Sequence, residues 1–137
     1  MRLLLALFLA AVSAASIASV TSSEEFLLMK AAADFHKTAP NEIVHVRHVQ
    51  FGQVVNPQNE TQDVLCGEFM STAKAGNQWI SFVTMKSRYQ SPGAANYEQW
   101  IGGQAEVVCK AGNVTESDDR DLSSTLQLGI DHFTKKP

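Results

Sequence analysis

The chain has 137 residues, 45% of them hydrophobic, with 11 basic side chains against 14 acidic ones and a net charge of −3. Phosphate backbones and anionic lipid surfaces are held by clustered Lys and Arg, so this balance excludes nucleic acid as an expected partner. The length supports one domain around a single core.

The first element is a leader rather than part of the fold. Arg2, an apolar run over residues 3–12 and small residues over 13–19 are the three parts of a secretory signal peptide, and no acid precedes Glu24. Signal peptidase takes short side chains at −3 and −1, which Val12 and Ala14 supply. Residues 1–14 are therefore read as the signal and 15–137 as a single secreted α+β domain, with cleavage after residue 18 as the second register, set by Ser16 and Ala18. The apolar run is short against the roughly 20 residues of a spanning helix, so no stable membrane anchor is expected after cleavage. No cysteine stands near the cleavage site to receive lipid. Loss of Arg2 makes the mature chain slightly more acidic, and the expected location is secreted or periplasmic.

The mature chain opens with a helix to about Lys37. Ser22 and Glu25 form a capping box, Glu24 and Glu25 suit the positive end of the helix dipole, and Ala39-Pro40 stops it. Its apolar residues spread over more than one stripe, which places it against a sheet. Residues 43–55 are rich in Val, Ile and Phe and read as a long strand with Gly52 as a bulge, followed by a polar loop over 56–62. Strands follow over 63–71 and 79–89, joined through Gly76-Asn77. Residues 90–97, with Pro92-Gly93, read as an irregular loop leading into 98–101, and Gly102-Gly103 resets the chain before a fourth strand over 104–111. The acidic run 116–121 reads as solvated. Leu122, Leu126, Ile130 and Phe133 then predict a short C-terminal helix capped by Asp118 or Asp121, with Gly129 as its weak point. The expected class is α+β: an N-terminal helix on a four-stranded, mainly antiparallel sheet, a short C-terminal helix and one disulfide.

Two cysteines in an exported chain make one bridge by arithmetic, Cys66 to Cys109. Closing a loop of roughly 40 residues is worth about 4 kcal/mol on the chain-entropy account. A redox role would need a Cys-x-x-Cys spacing, which is absent. Of the four histidines, His45 and His48 are close in sequence, but residues three apart on a strand point to opposite faces, so no metal site is expected. His36 and His132 sit at helix ends, where the dipole favours a cation. No Gly-x-Ser-x-Gly and no phosphate-binding loop occurs. No catalytic, metal or cofactor-binding residue is assigned, and no cofactor is expected.

Glu68 is the one unusual acid, because strand alternation puts it on the face of Val64, Cys66 and Met70. Buried there it would have a raised pKa and serve as a general acid; paired with Arg47 or Lys110 at the sheet edge it is structural, which is the favoured reading. Asn59-Glu60-Thr61 and Asn113-Val114-Thr115 match the glycosylation acceptor pattern and fall in loops. Among the aromatics, which include Phe82 and Tyr89, Trp79, Tyr97 and Trp100 are the candidate binding surface, although core packing is their commoner use.

Val64-Leu65-Cys66-Gly67-Glu68-Phe69, then Gly76-Asn77, Trp79, Phe82 and Cys109, resemble a group of small exported bacterial proteins of unassigned function that carry a Val-Cys-Gly-Glu strand. Residues 31–51 are similar in layout to the same group, a helix end followed by a strand. The resemblance implies a periplasmic or secreted α+β domain and supplies no activity.

The expected function is a binding or interaction protein without catalytic activity, whose partner is a protein or small ligand in the envelope or outside the cell. The alternatives are a small hydrolase-like enzyme using Glu68 with a histidine, and an inhibitor of an extracellular enzyme presenting residues 90–97.

Overall fold

The computed structural model describes residues 23–72, 77–87, 96–111 and 120–135. The segment expected as a leader, Ser22, Gly76, Tyr89, the Asn113 acceptor triplet, Asp118 and most of the expected loop 90–97 lie outside the described residues. The fold is α+β, with α1 (Ser23–Thr38), β1 (Val44–Val55), β2 (Thr61–Ser71), β3 (Ile80–Lys86), β4 (Tyr97–Ile101), α2 (Gly103–Ala111) and α3 (Ser123–Thr134). The four strands form an antiparallel meander in chain order.

The layout departs from the expected one in two places. The fourth strand is Tyr97–Ile101, and the residues expected to form it are the helix α2. Gly102, at φ 75°, turns the chain from one to the other in a backbone region that favours glycine. Ala105, Val108 and Cys109 then fall on one helical side against the sheet. Glu106 and Lys110, four apart, pair across one turn at 3.9 Å. The disulfide Cys66–Cys109, with Cα atoms 6.0 Å apart, therefore ties α2 to the central strand β2 rather than joining two strands.

The second correction concerns the bulge, which lies between Arg47 and Gln50 and not at Gly52. His48 and Val49 together oppose Gly67, and His48 takes a left-handed backbone with φ 52°. One extra residue shifts the pleat by one, so Val44 and Val46 before the bulge share a face with Val49 and Phe51 after it.

Each sheet face carries its own core. On one side α1 and α3 cover Val44, Val49, Leu65, Phe69 and Phe82 with Leu27, Ala31, Phe35, Leu126 and Ile130. Phe35 meets Phe69 and Phe82 with ring centroids 5.1 and 5.2 Å apart, within the range in which tilted aromatic pairs attract. Gly129 stands at a close approach of α3 to α1: a Cβ there would lie 3.1 Å from that of Ala32. On the other side α2 covers Val54, Val64, Cys66, Val83 and Met85.

Over Val44–Val49 the outer edge of β1 is closed by α3 and the residue before it. Gln127 accepts from Val46 N through Oε1 and donates to Val44 O through Nε2, at 3.1 and 2.9 Å. Val49 N donates to Ser123 Oγ and Val49 O accepts from Leu122 N, at 3.0 and 2.7 Å. The cap of α3 is Leu122, not Asp121 as expected; Asp121, one residue before it, accepts from the Ser123 amide at 2.9 Å and from its hydroxyl. Those hydrogen bonds from Ser123 hold its carboxyl below the ordinary value, assisted by His48.

Candidate functional site

The turn at Gly102 folds α2 back over only part of its sheet face, and a groove opens between α2 and the β1–β2 hairpin. It encloses about 410 Å³ and is lined by Val54, Val55, Met85, Trp100, Val107 and Val108, with Asn56, Pro57 and Gln62 at the hairpin end. None of these side chains is charged. Val107 is 66% exposed, Val55 60% and Trp100 39%, so large apolar side chains face solvent around one cleft.

Both walls are fixed. The hairpin turn is held by Asn56, whose Oδ1 accepts from the amides of Gln58 and Glu60 at 2.9 and 3.0 Å. Asn59 occupies the left-handed position of that turn at φ 60°, exposed at the tip. The helical wall is pinned through Cys109. Gln62 donates from Nε2 to Lys86 O at 3.3 Å, and its Oε1 is a neutral acceptor at the groove's polar end.

The three aromatics expected to form one surface are distributed over the molecule. Trp100 lines the groove. Trp79 lies under the guanidinium of Arg47, whose Cζ is 4.2 Å from the ring centroid. Tyr97 faces α1, donates from its hydroxyl to Asp34 at 2.8 Å and has Lys30 above its ring. Burial and then the Asp34 carboxylate raise its pKa.

Glu68 lies on the Cys66 face, beyond the reach of α2. Its Oε2 accepts from Arg47 Nε at 3.0 Å and lies 2.8 Å from His48 Nδ1. Partial burial pushes its carboxyl up, but the hydrogen bonds and charges of Arg47 and His48 outweigh this and hold it below the ordinary value. Lys110, the other cation considered for it, pairs with Glu106. Neither Glu68 nor His48 lines the groove or the second cleft, of about 320 Å³, which lies between the end of α1 and the sheet and holds Asp34, Glu42, Ser71 and Gln99 over Phe35 and Phe69. In that cleft the Ser71 hydroxyl donates to Glu42. Among the described residues no three His, Cys, Asp or Glu side chains gather as metal ligands.

Val55, Met85, Val107 and Val108 are the groove residues that sequence reading passed over. With 104–111 taken as a strand, Val107 and Val108 alternate harmlessly. The Glu106 to Lys110 spacing was the available sign of a helix, and of an apolar residue left over on its outer side. Comparison with family profiles, characterised proteins and solved structures finds no match for this chain.

Proposed function

We propose that this chain is an exported, non-catalytic binding module whose ligand seat is the groove between α2 and the β1–β2 hairpin. One observation carries the reading: an uncharged cleft of about 410 Å³ ringed by exposed Trp100, Val107 and Val55, with one wall held by the disulfide. Volume and lining suit a small, neutral, mainly apolar ligand with one polar group for Gln62. Export fits the disulfide, and among the described residues no helix is long and apolar enough to cross a membrane.

The test uses Nile red, a neutral apolar dye, titrated into the mature protein. Its emission should rise and shift to the blue on binding. Val107→Asp, at a position exposed enough to leave the fold intact, should weaken binding about tenfold or more by placing a charge in the cleft. Equal binding by wild type and Val107→Asp would remove the groove as the seat.

The hydrolase-like alternative has one observation in its favour, the 2.8 Å approach of His48 to Glu68. Against it, the carboxyl is held toward its ionised form by Arg47, which unsuits it as an acid near neutral pH, and the His48 side chain is 69% exposed outside both clefts. The inhibitor alternative rests on residues 90–97, which lie outside the described residues apart from the last two.

A further inference from the structure

The sheet has two edges, and they are treated differently. The backbone of β1 is closed on its outer side over Val44–Val49 by Gln127, Ser123 and Leu122. On β4 the alternation of an antiparallel ladder decides which groups face out. Ser87 N donates to Asn96 O and Gly102 N to Ser81 O, so Asn96, Glu98, Trp100 and Gly102 turn their backbone groups toward β3. Tyr97, Gln99 and Ile101 therefore turn theirs away from the sheet. Those three amides and three carbonyls have no hydrogen-bond partner among the described residues. The strand carries none of the usual guards of an edge: no Pro, no Lys, no bulge.

We infer that β4 pairs antiparallel with β4 of a second copy of this chain, about a two-fold axis through Gln99. The register follows from β4 itself. With Gln99 opposite Gln99 of the second copy, Tyr97 stands opposite Ile101 and Glu98 opposite Trp100. Every outward-facing residue then meets an outward-facing residue, as the hydrogen bonds require. The side-chain pairs are an aromatic with a β-branched residue and a self-paired amide, and no like charges stand opposite each other. A strand of unrelated sequence would satisfy the backbone, but the self-complementary pattern selects a second copy. The pairing joins two four-stranded sheets into one of eight and covers Trp100 and Ile101, exposed by 39% and 47% in the single chain.

The experiment is sedimentation of the mature protein with amide exchange at several concentrations. Twice the monomer mass is expected as concentration rises. The amides of Tyr97, Gln99 and Ile101 should gain protection in step with it, while those of Glu98 and Trp100, already turned inward, stay protected throughout. Ile101→Pro removes an outward N–H and leaves the ladder to β3 untouched. The axis doubles that loss, so dimerisation should weaken about tenfold or more. If Ile101→Pro fails to fold, the exchange pattern of the wild type decides alone. A protein that stays monomeric up to about 1 mM, or a dimer without the alternating protection, overturns the inference.

Discussion

At Gly67 two side chains cross above the backbone and leave no volume for a methyl group. A Cβ would stand 2.8 Å from Phe82 Cε1 and 2.9 Å from Val49 Cγ2, and both of those residues are fully buried. Gly67→Ala should therefore destabilise by about 1–3 kcal/mol despite the better strand propensity of alanine, measurable by urea unfolding. Directly opposite, His48 holds a left-handed backbone that costs a residue with a Cβ about 1 kcal/mol or more. His48→Val should lower stability by about 1–2 kcal/mol, while His48→Gly should be neutral or better, the exposed contact with Glu68 being a small loss. For Glu68 the sign is set by a lowered folded pKa. Its contribution is present above the ordinary carboxyl range and disappears as pH falls through the lower folded value. The stability gap between wild type and Glu68→Gln should thus be about 1 kcal/mol or less near neutrality and close as pH falls through the lowered folded value, as parallel thermal melts would show.

Among the elements, α2 depends most on a covalent bond. Its buried contribution is Ala105 with parts of Val108 and Cys109, a small apolar area for nine residues. Opening the bridge should release α2 before the sheet: Cys66→Ser/Cys109→Ser should lose about 2–4 kcal/mol. Amide exchange should rise first over Gly103–Ala111, while α1, α3 and β1–β3 keep their protection. Loss of protection everywhere at once would show that α2 and the sheet unfold as one unit. The elements were unequally legible in the sequence. The helix α1 and the strands β1 and β2 announce themselves through length, capping acids and alternating apolar residues. The bulge was expected at Gly52 and lies four residues earlier, although the sign was present: Val44 and Val46 followed by Val49 and Phe51 break the period of two where it sits. The short stretch after residue 97 failed as well. A five-residue strand and a nine-residue helix are each too brief for periodicity to separate, and Val107-Val108 next to a cysteine imitates a strand. The candidate site inherits that error, because the groove exists only if 103–111 is helical.

At the scale of the whole molecule, the sheet divides the interior into two cores of unequal strength, with two helices on one face and a single tethered one on the other. The groove lies on the weaker side, where its helical wall is a single helix held by the disulfide while the opposite core keeps the sheet in shape. The closure of β1 by Gln127, Ser123 and Leu122 bears on how the chain comes to be assembled. Its donors and acceptors come from residues 122–127, far downstream of the strand they cover, as with Gln127 and Val46, 81 apart. Synthesis runs from the N-terminus, so β1 waits with bare backbone until α3 has been made. A twelve-residue strand in that state is a template for any other extended chain. Removal of α3 should accordingly turn the protein toward fibrils that bind thioflavin T. Gln127→Leu, which keeps the helix but removes its imitation of a neighbouring strand, should shorten the lag of that conversion relative to the wild type. The period before α3 has been made is the interval in which a holding chaperone has most to protect.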